Sequence, residues 1–273
     1  MQVTILGCGA APGVPSIAGG WGDCDPAEPR NRRTRASILV TPNGAGQGDA
    51  PDDAVPDPIL VDTSPDMRDQ LLAAGVRQLS AVIYTHAHAD HLHGLDDLRE
   101  VNRALHGPLD IHADTATLNV IAARFPYAVA PLPDEMRWIS RPLLVPRLMD
   151  GPFTLAGVPV TPFIQDHKVM KTQGLRFGAG FAYSTDVVSL DEAAFEVLQG
   201  IHTWVVGCIS WKPHPTHAHV DQVLAWAERV QPRRLILTHM GLGLDYAALR
   251  RALPADAEPA YDGMVLDIPD TAD

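Results

Sequence analysis

Residues 81–94 read Ala81-Val82-Ile83-Tyr84-Thr85-His86-Ala87-His88-Ala89-Asp90-His91-Leu92-His93-Gly94. The opening residues form a short apolar run of the kind that makes a buried strand, ending at Thr85. Beyond it stand four donors within six residues: His86, His88, Asp90 and His91. Neutral imidazole suits zinc and related ions, and a carboxylate adds a hard oxygen, so one loop can serve two neighbouring ions. The bland alternative is a polar loop whose histidines face solvent. Histidine is sparse elsewhere, with 12 in 273 residues, so this crowding favours the metal reading.

Working outward, short apolar and β-branched runs recur at 3–6, 37–40, 59–61, 81–85, 109–112, 158–163, 181–184, 203–208, 235–238 and 265–268, and these read as strands. Helical patterns lie between several of them, at 65–74, 114–124, 190–198, 220–230 and 246–253. Pro65 behind Ser64 suits the first helical position. Val220, Val223, Leu224, Ala227 and Val230 give their helix an apolar stripe. The mixture is α/β throughout. Residues 41–58 are rich in Gly, Pro and Asp and read as an exposed loop between two strands, not as a linker, so a single domain over 1–273 is expected.

Composition narrows the setting. A hydrophobic share of 46% is ordinary for a globular chain with a sizeable core. Lys plus Arg is 21 against 33 for Asp plus Glu, a formal charge of -12, so long-range attraction to nucleic acid would need a local basic patch. A small anionic substrate stays compatible, because metal ions can outweigh the surrounding charge locally. Cys8, Cys24 and Cys208 are far apart and lack C-x-x-C spacing, which argues against a disulfide framework or a cysteine zinc site. The N-terminus has no basic segment followed by a long apolar one, and no segment approaches the ~18 apolar residues of a membrane helix. A cytoplasmic protein without a membrane partner is expected.

Thr85-His86-Ala87-His88-Ala89-Asp90-His91 resembles the H-x-H-x-D-H signature of the metallo-β-lactamase superfamily. The resemblance implies an α/β fold, a four-layer αββα sandwich with ligands on loops along one edge of two sheets. It implies three further ligands at strand ends, and His167, Asp186 and His239 occupy such positions in order. By analogy His86, His88 and His167 hold one ion, Asp90, His91 and His239 the other, and Asp186 bridges them. His88 stands where oxygen- and nitric-oxide-reducing diiron relatives tend to carry Glu, and nothing in the chain reads as a flavin domain, which favours hydrolysis. Two ions ~3.5–4 Å apart can share a hydroxide, because metal binding lowers the pKa of water from about 15.7 towards ~7. Zinc, manganese and iron all suit such a set.

Leu6-Gly7-Cys8-Gly9-Ala10-Ala11-Pro12-Gly13-Val14-Pro15, Trp21-Gly22-Asp23-Cys24, residues 30–35 and 216–224, and Tyr261-Asp262-Gly263-Met264 resemble the phosphoribosyl 1,2-cyclic phosphate phosphodiesterases of phosphonate breakdown. The glycine-rich start is similar in the branch involved in pyrroloquinoline quinone formation and, less closely, in tRNA 3′-end endonucleases. Gly7, Gly9 and Gly13 also fit a tight strand-to-loop turn whatever the substrate. One feature departs from the phosphodiesterase pattern. There, clustered cysteines in the early loop and a His just after the last ligand bind a structural zinc. Here the loop has Cys24 alone and Met240-Gly241-Leu242 follows His239, so that zinc is not expected.

The implied activity is a dinuclear metal-dependent phosphodiesterase acting on a small cyclic phosphate such as phosphoribosyl 1,2-cyclic phosphate, with Asp90 at the reacting centre. The alternatives are a tRNA 3′-end-type endonuclease, another hydrolase of this fold, and a non-catalytic carrier resembling the quinone-pathway branch. The endonuclease usually needs a protruding basic arm, which the sequence lacks, and a carrier has no need of seven ligands. The resemblance places a general acid or base at His219, at the start of a helix; a plain helix-start His is the simpler reading, and His217 and His214 are weaker candidates. Lys168, Lys171 and Lys212 flank expected site segments and are candidate phosphate contacts, though exposed lysines fit as well. The expected partner is a small anionic phosphodiester, not a nucleic-acid polymer, and a homodimer is compatible with the sequence.

Overall fold

The computed structural model describes residues 1–43, 57–131 and 141–269. The loop read at 41–58 lies largely outside the described residues. The first sheet collects β1 (Gln2–Gly7), β2 (Ser37–Thr41), β3 (Ile59–Val61), β4 (Ala81–Ile83), β5 (Leu109–Ala113) and β6 (Leu144–Leu148). The second takes β7 (Phe153–Leu155), β8 (Val158–Asp166), β9 (Lys171–Phe177), β10 (Phe181–Ser184), β11 (Thr203–Gly207), β12 (Arg234–Thr238) and β13 (Ala257–Pro259). The chain then returns to the first sheet as β14 (Met264–Asp267), giving the orders β14-β1-β2-β3-β4-β5-β6 and β13-β12-β11-β10-β9-β8-β7. Around them lie α1 (Met67–Ala73), α2 (Ala89–Leu92), α3 (Leu98–Leu105), α4 (Thr115–Arg124), α5 (Pro126–Val129), α6 (Glu192–Leu198), α7 (Val220–Val230) and α8 (Tyr246–Ala252).

The layering follows from the period of two along the strands. Ile59 and Val61 pack with Val160, Leu175 and Phe177 of the second sheet, whereas Leu60 between them joins Met67, Leu71, Leu98 and Ile121 of the helices outside. Val40 and Leu39 divide the same way, as do Ile83 and Val82. On the other side Phe195, Val223 and Leu249 bring α6, α7 and α8 onto the core that includes Trp204 and Leu235. Helices, sheet, sheet, helices is the αββα sandwich expected. Among the described residues no helix is long and apolar enough to cross a membrane.

Strand direction gathers the site. β3 and β4 are parallel, and so are β10, β11 and β12. β8 and β10 each run antiparallel to β9, so their C-terminal ends share one edge with that of β12. The Gln173 amide at the head of β9 donates to the Thr85 carbonyl at 3.0 Å and ties the second sheet to the end of β4.

Differences from the sequence reading are local and have physical reasons. The strands β6, β7, β9 and β13 carry no clean apolar run; β9 holds Lys171, Gln173, Gly174 and Arg176, and Gly174 lies beneath the Phe163 ring, where a side chain would not fit. The first helix starts at Met67, since the Ser64 hydroxyl accepts from the Asp66 amide at 3.1 Å and leaves Pro65 in a turn ahead of it. Asp191 caps α6 through the Ala194 amide at 2.9 Å, so that helix begins at Glu192. Gly13 adopts φ +68°, and a side chain on Gly9 would meet the Thr34 carbonyl at 2.9 Å, as the turn reading requires.

The layering makes a stability prediction. Leu60→Ala removes a fully buried side chain between sheet and helices and should cost about 2–5 kcal/mol in urea unfolding. Leu72→Ala, at a side chain 64% exposed, should stay within about 0.5 kcal/mol. Equal losses at the two positions would show the outer layer to be misassigned.

Candidate metal centre

Every expected ligand arrives at this one edge. His86, His88, Asp90 and His91 follow β4, His167 follows β8, Asp186 follows β10 and His239 follows β12. They form two groups, His86, His88, His167 and Asp186 in one, Asp90, His91, Asp186 and His239 in the other, with the donor atoms of each group within 4.8 Å of one another. Asp186 belongs to both. Its Oδ2 lies 3.5 Å from His86 Nε2, 3.5 Å from His167 Nε2 and 3.9 Å from His88 Nδ1. Its Oδ1 lies 3.0 Å from His239 Nε2 and 3.3 Å from His91 Nε2. Asp90 Oδ2 closes the second group at 3.2 Å from His91 Nε2 and 3.4 Å from His239 Nε2.

An outer ring of partners aims these imidazoles. Asp62, fully buried at the end of β3, accepts from the Thr85 amide and hydroxyl, each at 2.8 Å, and meets His91 Nδ1 at 2.8 Å. His167 Nδ1 must donate to the Thr216 carbonyl at 2.7 Å, which leaves the lone pair on Nε2. Thr85 Oγ1 stands 3.0 Å from His86 Nδ1. The Nε2 atoms of His86 and His91 are buried without a hydrogen-bond partner. Buried polar atoms left without a partner, facing a shared carboxylate and held from behind by oxygen acceptors, are the arrangement a metal ligand needs. The donor set fits divalent cations.

The electrostatics agree. Burial would raise the Asp186 carboxyl, but His239 and His91 hold it well below the usual carboxylate range. Burial works the other way on His239, and Asp186 and Asp90 overcome it, raising the imidazole to about 9. His91 is raised well above the ordinary value against the same burial by Asp90, Asp186 and Asp62. Burial keeps His86 and His167 below theirs. The centre is an ionised pocket whose charge balance rests on cations brought close to two carboxylates. Its backbone is also strained: Asp62, Asp186 and His239 have φ of +64°, +49° and +53°. Each non-glycine residue in this region costs about 1–3 kcal/mol and persists only where its surroundings hold it.

The other expected residues fall differently. His219 is the N-cap residue of α7, its Nδ1 3.2 Å from Gln222 Oε1 on its own helix. His217 is the residue at the centre: its ring packs 4.6 Å from that of His167 and stacks at 5.0 Å on His239, so it lies across both groups. His214 is one step out, 5.2 Å from the His217 ring. Burial, outweighing the pull of Asp186, pushes His217 down to about 3. All three lysines are exposed. Lys171 is engaged by Asp166 at 3.4 Å, while Lys168 and Lys212 sit on the loops that carry His167 and His217. Cys24 is buried, its thiol donating to the Leu242 carbonyl at 3.4 Å. Asp62 was not legible: a lone Asp after a strand signals nothing until β3 and β4 are seen side by side.

Residues 58–240 match the beta-lactamase superfamily domain. A new diphosphatase from the PhnP family has a solved structure similar over 97% of each chain, with TM-score 0.83 and 31% identity. Zn²⁺-bound PqqB from Methylobacterium extorquens aligns over 98% of this chain and 100% of that one with TM-score 0.73 and 20% identity, a likeness of fold. Among curated relatives, an octanoyltransferase of Porphyromonas gingivalis is 29% identical over 97% of this chain and 51% of its own length. Coenzyme PQQ synthesis protein B of Xanthomonas oryzae pv. oryzae is 29% identical over 68% of this chain and 59% of its own length. The chain thus spans between about half and three-fifths of the curated relatives it matches. With the domain match over 58–240, the sandwich and the gathered histidines and aspartates, the chain belongs to the metallo-β-lactamase superfamily and within it resembles the PhnP branch.

Proposed function

We propose that the chain is a dinuclear metal-dependent phosphodiesterase whose substrate is a small cyclic phosphate such as phosphoribosyl 1,2-cyclic phosphate. The observation that carries this reading is Asp186, one carboxylate shared by two ligand groups. His86, His88 and His167 would hold one ion, Asp90, His91 and His239 the other, and Asp186 both. Bound there, divalent ions polarise phosphoryl oxygens and supply an activated water. The likeness to a PhnP-family diphosphatase supports phosphorus chemistry. The octanoyltransferase name belongs to a protein of which this chain spans 51%, so acyl transfer is not carried over.

The role first assigned to His219 passes to His217 in this reading, because His217 packs against a ligand of each group. From there a ring N–H reaches a phosphoryl or leaving-group oxygen, and the substrate's own negative charge favours the protonated ring that a leaving alkoxide requires. His219 retains a place at the start of α7.

Protein loaded with zinc or manganese should hold about two ions per chain and turn over bis-p-nitrophenyl phosphate, and a panel of cyclic phosphates and diphosphate diesters then ranks substrates. Absence of turnover on all of them with both ions bound would leave the carrier reading in its place. Elemental analysis of Asp90→Ala should give one ion retained and one lost. Asp62→Asn keeps a residue that tolerates positive φ but disturbs the acceptor behind His91 and Thr85, so ion affinity should fall ~10–100-fold; wild-type affinity would remove Asp62 from the centre. His217→Ala should lower kcat ~10²–10⁴-fold on a cyclic ribose phosphate and far less on a p-nitrophenyl ester, whose leaving group needs no proton. His219→Ala should change neither. The reverse pattern between the two histidines would return the role to His219.

A further inference from the structure

The segment after His239 is held in an unusual way. Residues 241–244 present four successive carbonyls, and each one accepts a hydrogen bond from elsewhere in the chain. Gly241 accepts from the Arg33 guanidinium at 3.5 Å, Leu242 from the Asp23 amide at 3.0 Å and the Cys24 thiol at 3.4 Å. Gly243 accepts from the Trp211 indole at 3.0 Å, and Leu244 from Arg33 again at 2.7 Å. Arg33 is 2% exposed, a cation buried without an ion-pair distance to any carboxylate among the described residues; its two terminal nitrogens are committed instead to carbonyls and to Asn31 Oδ1 at 3.1 Å, while its Nε has no hydrogen-bond partner.

Asn31, fully buried, extends the arrangement. Its Oδ1 also accepts from the Tyr246 amide at 2.8 Å, and its Nδ2 donates to Asp245 Oδ2 at 2.6 Å and to the Asp25 carbonyl at 3.1 Å. Asp245 Oδ1 caps α8 at the Ala248 amide, 2.8 Å away. On the near side of the ligand, Met240 donates to the Cys8 carbonyl at 2.8 Å and accepts from the Ala10 amide at 3.1 Å. His239, at φ +53°, is therefore gripped on its C-terminal side by a polar cluster outside the ligand groups.

We infer that Arg33, with Asn31 and Asp245, is a positioning residue for His239: the buried guanidinium fixes the segment after the ligand and so holds the imidazole against Asp90 and Asp186. A buried cation is costly unless its donors are used, and a fork of fixed N–H groups spans two carbonyls as no point charge can. The consequence is confined to one ion. The Asp90, His91, Asp186 and His239 group depends on the clasp, whereas the His86, His88 and His167 side is carried by other loops. This rests on the proposed reading of those groups as metal ligands.

The test is titration of the full chain with cobalt(II), followed by its visible absorption, with circular dichroism to verify folding. Wild type should bind two ions. Arg33→Met should bind the first with unchanged affinity and the second at least tenfold more weakly, with altered absorption from the second. Asp245→Asn retains a helix-capping residue but brings an amide donor against Asn31 Nδ2 and the Asp25 amide; it should weaken the second ion in the same direction and serves where Arg33→Met does not fold. If a folded Arg33→Met protein, or failing that Asp245→Asn, takes up both ions with wild-type affinity and spectrum, or loses both equally, the inference is overturned. A wild-type chain that binds no cobalt would overturn the metal reading itself.

Discussion

Asp186 is the point on which the rest of the structure closes. Five imidazole nitrogens from three segments of the chain lie within 3.9 Å of one buried carboxylate. An ionised carboxylate in that position is tolerable only when positive charge surrounds it. The carboxylates raise both His91 and His239, and a divalent ion bound there would take the place of their protons. The two sheets share this requirement, since His86, His88, Asp90 and His91 come from the first and His167, Asp186 and His239 from the second. The centre thereby joins the halves of the sandwich at the edge where the inter-sheet core ends.

That dependence accounts for where the strain sits. Asp62 and His239 directly follow a strand and Asp186 comes two residues after one, and all three adopt positive φ. Asp62 is held by three partners spread over residues 85–91, Asp186 by the imidazoles, and His239 by the neighbours on either side of it in sequence. Local strain is affordable because each turn is fixed by contacts remote in sequence.

The same fact sets how much could be read beforehand. The cluster at residues 86–91 was legible because its ligands are adjacent in sequence and follow one apolar run. The candidate ligands His167, Asp186 and His239 were legible through family resemblance; a single His or Asp after a strand carries no signal alone. Most strands of both sheets follow from short apolar runs, and β9 does not, because Lys171, Gln173, Gly174 and Arg176 leave no such run in it. His217 and His219 differ in their surroundings for a finer reason. They flank Ala218, whose amide bonds Val187 and whose carbonyl bonds Ile209, and the chain turns into α7 directly after it. The two-residue step between them decides which imidazole packs on His167 and His239 and which meets Gln222.

The polar clasp was out of reach for a related reason, since its parts lie more than two hundred residues apart: Asn31 and Arg33 on one side, residues 241–246 on the other. Residues 30–35 hold four arginines, and nothing in that stretch alone marks Arg33 as one of the largest fully buried side chains of the molecule. The early loop in this chain has Cys24 alone, where the resemblance read from the sequence implied a cluster of cysteines. Hydrogen bonds from Asp23, Cys24, Asn31 and Arg33 bind it to the segment beyond His239. The inner ring of imidazoles and carboxylates can thus stay constant while the outer attachment of the early loop changes its chemistry. Divergence of substrate within the fold has room to begin in that loop without disturbing the ligands beneath it.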